Sequence, residues 1–138
     1  MAEGCIFCKI VKGELPAYKI YEDENTISFL DIFPIHPGHA LVVPKKHSVD
    51  IFDTDEETMK QMIAVAKKIA PAVMKGANAD AINIGMNNRE ASGQEVPHAH
   101  MHVIPRYSAD GLKTWGKNLY KNDRHKKKLC EAIKKELE

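Results

Sequence analysis

His98-Ala99-His100-Met101-His102-Val103-Ile104 places an imidazole at every second position, with small or apolar side chains between. Side chains alternate faces along a strand, so the spacing predicts a strand over residues 98–104 with three histidines on one side. The strand rise sets neighbouring imidazoles about 6–7 Å apart. Ala99, Met101 and Val103 then face a core. Three adjacent imidazoles add little stability, so the histidine face is read as chemical. Two chemistries suit it. Three imidazoles can hold a catalytic metal with one open position. Alternatively one imidazole is a nucleophile whose neighbours fix its tautomer and meet developing charge.

Outward from this strand, the chain reads as an alternation of short strands and two helices. Residues 18–22 alternate, Asp23-Glu24-Asn25 turns, and Thr26 to Leu30 forms a second strand. Asp31 to Gly38 holds two prolines and a glycine and reads as a loop; Ala40 to Val43 is a buried strand stopped by Pro44. A long helix is expected from a Thr54 cap with Glu57 at capping-box spacing. Met59, Met62, Ile63, Ala66, Ile69 and Val73 form its apolar face; Gly76 ends it, and Pro71 is expected to kink or shorten it. Strands over residues 81–86 and 98–104 follow, joined by the polar stretch Asn87 to Pro97. A terminal helix begins near Leu119. Strand pairs with one inserted helix predict an α+β fold: an antiparallel sheet of about five strands, a long central helix and a C-terminal helix. Neither β-α-β alternation nor a Gly-rich phosphate loop is present.

At 138 residues the chain makes a single domain, with its core over about residues 5–106 and a helical tail over about 107–138. A net charge of +1 gives no global field for nucleic acid or membrane. From Lys117 onward eight Lys/Arg face four Asp/Glu, but no aromatic residues interleave as in a single-strand binder, so the tail is read as a solvated helix face. No apolar run reaches the ~20 residues of a bilayer span, and Met1 to Cys5 lacks a secretion signal. Three cysteines, two of them as Cys5-Ile6-Phe7-Cys8, are poor material for a disulfide framework. The expected address is the cytoplasm. Cys5 and Cys8 have the spacing of half a structural zinc site. A redox pair of thioredoxin type should follow a strand and open a helix, which is not expected with four residues before it. Cys130 is expected to be a small buried hydrophobe in the terminal helix.

The loop feeding the histidine strand offers Asn87, Gly93 and Gln94, whose amide and backbone N–H groups can hold phosphate oxygens. Asp31, after an apolar strand, can accept from ribose hydroxyls. The histidine stretch resembles the His-φ-His-φ-His-φ-φ signature of the histidine triad (HIT) superfamily. Cys5 to Ile10, Phe29 to Ile32, His39 to His47 and Gly93-Gln94-Glu95-Val96 resemble its Hint-like, bacterial-type branch in order and spacing. The resemblance implies a purine-nucleotide hydrolase or transferase working through a nucleotidyl-histidine, as a homodimer. It implies His100 as nucleophile, His98 as its backbone orienter, His102 at the phosphate and His39 behind them. Asp31 would hold the ribose; Phe7, Ile10, Phe29 and Ile32 would line the base pocket, unless they simply pack the core. Asn87, Gly93 and Glu95 would face phosphate and leaving group. Zinc would be completed by His47 and His98 beside Cys5 and Cys8.

Two residues refine the expectation. Transferases of the superfamily tend to carry Gln where this chain has His102, which favours hydrolysis. Glu95 replaces a Ser or Thr found in some members; ionised, it cannot donate to phosphate, so it faces outward or selects a leaving group bearing an amine. The favoured substrates are adenosine phosphoramidates or acyl-adenylates, with dinucleoside polyphosphates as the rival. A nucleotide-binding or scaffolding module with little turnover is the reading from another class.

Overall fold

The computed structural model describes residues 2–138. Five antiparallel strands form one sheet: β1 (Lys19–Glu22), β2 (Thr26–Leu30), β3 (Ala40–Pro44), β4 (Ala81–Gly85) and β5 (Met101–Arg106), in the order β1-β2-β3-β5-β4. The α+β class, the strand number and the long central helix are as expected. Among the described residues no helix is long and apolar enough to cross a membrane.

Helix α2 (Glu56–Gly76) covers one face of the sheet. Its Met62, Val65, Ala66, Ile69 and Val73 pack with Ala40, Val42, Ala99 and Val103. Val65 stands in the apolar stripe and Ile63 does not, being 46% exposed. The cap also differs from the expected one. Asp55 Oδ1 accepts from the Thr58 N–H at 2.7 Å, while Thr54 Oγ1 donates to the Asp50 carbonyl at 2.6 Å. Thr54 thus closes the preceding turn instead of the helix. Pro71 neither ends nor divides α2: it lies on the exposed side, where its missing N–H leaves one carbonyl of the preceding turn to solvent.

The opposite face is covered only in part, by a short helix the sequence reading did not contain, α1 (Ile6–Val11). Cys5 caps it, its Sγ accepting from the Cys8 N–H at 3.4 Å. The Cys pair therefore opens a helix after all, although no strand precedes it. Phe7 and Cys8 turn inward onto Ile27, Phe29, Leu41 and Val43.

The terminal helix α3 (Asp123–Glu136) begins at an Asn122 cap, three residues after Leu119. It buries none of its residues, and Cys130 is exposed rather than buried. Residues 114–121 lead to it without secondary structure, holding Trp115 89% exposed. The apolar positions of α3 are arranged for a helix face, yet none of its residues is buried by another element among the described residues.

Candidate active site and metal centre

β5 begins at Met101, not at His98. Residues 98–100 nevertheless run extended into it: the Ala99 N–H donates to the Ser48 carbonyl at 2.7 Å. The alternation holds through the segment. Ala99 and Val103 enter the α2 core, while Phe7 on the other face meets the rings of His98 and His100 at 5.7 and 5.1 Å between centroids. The His100 and His102 rings lie 5.0 Å apart.

Backbone partners assign the proton on each ring. A carbonyl only accepts, so His100 Nδ1, 2.7 Å from the His98 oxygen, carries the hydrogen. That leaves the Nε2 lone pair of His100 free to attack. His98 Nε2 donates to the Pro44 carbonyl at 2.8 Å, so its lone pair is on Nδ1. The Ile35 N–H donates to His39 Nδ1 at 3.0 Å, which puts the His39 proton on Nε2. His39 Nε2 then donates to His102 Nδ1 at 2.9 Å, and His102 holds its own proton on Nε2 as a donor. One histidine is prepared to attack and another to donate.

Burial keeps these rings neutral. It lowers the His100 pKa against opposing pulls from the His98 carbonyl, Asp31 and Glu95. Burial, with the neighbouring His100 and His39, pushes His102 down to about 4. Burial also pushes His98 down to about 4 and lowers His39. A neutral imidazole is the form a nucleophile needs.

Cys5, Cys8, His47 and His98 bring four ligand atoms within 4.8 Å of one another. His98 Nδ1 lies 3.3 Å from Cys5 Sγ, 3.6 Å from Cys8 Sγ and 3.0 Å from His47 Nδ1; Cys8 Sγ lies 3.4 Å from His47 Nδ1. A tetrahedron with the usual Zn–N and Zn–S bond lengths has edges of roughly 3.3–3.6 Å for N–N and N–S pairs. The donor set therefore fits zinc in size, number and softness. The Pro44 carbonyl supplies the outer hydrogen bond that a metal-bound histidine requires. Burial raises the Cys8 thiol pKa, and a bound dication would reverse that.

Asp31, His39 and His102 form a second convergent group, with Asp31 Oδ2 3.6 Å from His39 Nε2. It does not suit a metal. With Nδ1 accepting from Ile35, a metal on Nε2 would leave His39 without any ring proton, as an imidazolate. The cluster is a hydrogen-bond relay.

The other expected residues divide clearly. Phe7 and Phe29 are core, 5.6 Å apart between ring centroids and each under 5% exposed. Ile10 is half-buried and Ile32 is 79% exposed, free to meet a ligand. Asp31 is half-buried, its Oδ1 accepting from the Phe33 N–H at 2.9 Å. Asn87 lies beside Gly93, whose left-handed backbone (φ 98°) suits glycine. Gln94 does not offer its amide to phosphate: Nε2 donates to the Val49 and Val96 carbonyls, and Oε1 accepts from the Arg89 N–H. It braces the loop. Glu95 is exposed, but its charge acts on His100. The relay through Ile35 was not readable in sequence, because a backbone N–H has no side-chain signature.

Comparison with known proteins gives the family. The HIT domain matches residues 12–109. Protein hit of Bacillus subtilis is 45% identical over 112 residues, 80% of this chain and 77% of that protein. Adenylylsulfatase HINT3 of Arabidopsis thaliana is 33% identical over 99% of this chain and 71% of its own. A Streptococcus mutans crystal structure superposes with a TM-score of 0.94 at 38% identity, covering 100% of this chain and 88% of that one. A Zn-bound histidine triad family protein from Mycobacterium smegmatis gives a TM-score of 0.77 at 41% identity, covering 94% and 97%. With three spaced histidines, the matched domain and these relatives in agreement, the chain belongs to the HIT domain family.

Proposed function

We propose that this protein is a purine-nucleotide hydrolase acting at the α-phosphate through a nucleotidyl-His100 intermediate. The observation that carries the reading is the 2.7 Å hydrogen bond from His100 Nδ1 to the His98 carbonyl, which leaves Nε2 as an unprotonated nucleophile. Nε2 attacks the α-phosphorus and the bond to the leaving group breaks. His102 presents its Nε2 proton to the phosphoryl oxygen and leaving atom, held in that tautomer by His39. Water then attacks phosphorus and passes its proton to His102 Nε2, which had given its own to the leaving atom; the P–N bond breaks and His100 returns to its neutral form. Asp31 takes the ribose hydroxyls, Ile32 and Ile10 meet the base, and Asn87 with the backbone near Gly93 holds phosphate oxygens.

Adenosine phosphoramidate-type or acyl-adenylate substrates suit this site, since both are substituted AMP molecules. The Arabidopsis relative is named for adenylyl sulfate, a substituted AMP as well. Zinc, bound by Cys5, Cys8, His47 and His98, would supply a closed structural site without a step in the reaction. That donor set keeps its thiolates in a reducing compartment such as the cytoplasm. The whole of residues 5–106 serves as one catalytic domain. Edge strand β4, with Ile84 42% exposed, supports pairing of two copies as a homodimer.

The test is AMP release from adenosine phosphoramidate, with diadenosine polyphosphate in parallel. Release by the native protein and none by His100→Ala supports the nucleophile; the faster substrate identifies the leaving-group class. AMP binding without release from either substrate overturns hydrolysis in favour of a binding module.

A further inference from the structure

Between the triad segment and the turn before α2 lies a cavity of about 600 Å³, lined by Val49, Asp50, Arg89, Glu90 and Glu95 among others. Arg89 stands there with φ 74° and ψ 159°, a backbone region that is essentially reserved for glycine. The backbone does not need an arginine to hold this shape. The Arg89 N–H donates to Gln94 Oε1 at 2.7 Å, its carbonyl accepts from Ser92, and the neighbouring Asn88 Oδ1 accepts from the Ile51 N–H. Glycine would meet the same bonds without strain.

What the arginine adds is its head group. The guanidinium lies 4.6 Å from the Phe52 ring centroid, and its Nε is 3.9 Å from Asp50 Oδ2. Asp50 Oδ1 accepts from the Phe52 and Asp53 N–H groups, so the carboxylate is fixed with Oδ2 on the Nε side of the guanidinium, away from its terminal nitrogens. The terminal nitrogens of Arg89 make no hydrogen bond among the described residues, and the side chain is 71% exposed. A planar fork with free donors, steadied over an aromatic ring, is a site for an oxyanion. Glu95 lines the same cavity together with Gly93 and Pro97, the residue before His98, and repels an anion on that side.

We infer that this cavity is the leaving-group subsite, and that Arg89 selects leaving groups carrying an oxyanion away from the scissile bond, past Glu95. The inference rests on the hydrolase reading for its chemistry. A leaving amine with a remote carboxylate meets both residues: its N–H groups face Glu95 and its carboxylate reaches the Arg89 fork.

The probes are AMP joined through a P–N bond to β-alanine and to the N-methylamide of β-alanine, which differ only in the remote charge. The native protein is expected to prefer the carboxylate in kcat/KM by about tenfold or more, the worth of one charge-assisted pair. Arg89→Gly, which suits the backbone, should bring that ratio to about one, and Arg89→Lys should keep part of it. Diadenosine tetraphosphate as a further arm distinguishes a phosphoryl oxyanion: there Arg89→Gly would weaken that substrate more than the β-alanine conjugate. Equal rates on the two probes in the native protein, or an unchanged ratio in Arg89→Gly, overturn the subsite. If neither probe is cleaved, the subsite is judged on equilibrium affinities; the hydrolase reading fails only if adenosine phosphoramidate and diadenosine tetraphosphate also release no AMP. A tenfold preference that collapses in Arg89→Gly supports it, and equal affinities overturn it.

Discussion

His98 and His100 are joined by a hydrogen bond of 2.7 Å, from the ring Nδ1 of His100 to the main-chain oxygen of His98. The same His98 turns its ring the other way, donating to Pro44 and aiming Nδ1 at Cys5, Cys8 and His47. One residue thus orients the nucleophile with its carbonyl and joins the metal cluster with its imidazole. Disturbance of the cluster is transmitted to His100 through a single peptide unit.

Removal of the metal is expected to lower stability before it touches chemistry. Cys5→Ser with Cys8→Ser should lose about one zinc per chain by elemental analysis and lower the thermal midpoint by many degrees. Activity at low temperature should fall by less than in His100→Ala. An unchanged midpoint with full metal content would remove zinc from the account.

The relay gives a separate prediction. His39→Phe deletes the donor that fixes His102, so His102 is free to adopt the wrong tautomer. The kcat for AMP release should fall about 10²-fold, in the range of one general acid–base group, with KM little changed. Single-turnover measurements check this. Loss in KM alone would mean that His39 only shapes the pocket.

Stability should depend on pH in a defined window. His102 titrates at about 4 in the folded chain, against about 6.5 when unfolded, because burial disfavours its charge. The unfolded chain therefore binds more protons between those values, and stability falls as pH drops from about 6.5 toward 4. The slope should be about 1.4 kcal/mol per pH unit from this residue alone. Urea melts across pH 7 to 4 measure it. His102→Gln should remove about that much of the slope, with His98 and its neighbours supplying the rest, and an equal slope in that variant would refute the assignment.

Asp55 acts in the same sense in a more acidic window. Hydrogen bonds from Thr58 and Lys46 hold its carboxyl at about 2, below its ordinary value of 3.8. Its contribution is present above pH 4 and is lost as pH falls toward 2. Asp55→Ala should lower the midpoint at neutral pH by a few degrees as the α2 cap is lost. Thr54→Ala should leave the cap intact while opening the turn it closes, so its effect should not vanish at pH 2.

Truncation tests the tail. Since α3 buries nothing against the domain, a chain ending at Lys113 should melt within a degree or two of the full chain as a monomer. A clear drop would mean that α3 is covered by a second copy.

Much of this was legible in the residues. Alternation marked Tyr18 to Glu22, while the turn at Asp23 to Asn25 and Pro44 set off Thr26 to Leu30 and Ala40 to Val43, which are buried on both faces and read as short runs. The histidine face was legible by alternation too, even though regular pairing begins only at Met101. Boundaries at Thr54 and Leu119 slipped because capping depends on which of several polar side chains reaches an N–H. Pro71 did not shorten the helix, which runs on to Gly76, because on an exposed face the carbonyl it leaves unpaired is met by solvent. Helix α1 was hidden by its brevity, although Phe7 and Cys8 beside Val11 hold the spacing of one buried side. Gln94 and the Ile35 N–H could not be read at all, since their roles are set by loop geometry. Cys130 was assigned from its place in the terminal helix pattern, but burial of a helix face requires a neighbour, and none covers it among the described residues.

The two faces of the sheet are covered very unequally, by a helix of 21 residues on one side and of 6 on the other. The sheet works as a bulkhead. Behind it, substitutions in the α2 layer change how long the molecule survives while leaving its turnover alone; in front of it, even a small shift in α1 moves Phe7 against the reactive ring. Evolution can therefore tune durability and reactivity in this chain as two nearly separate accounts of sequence variation, divided by the thickness of one β-layer.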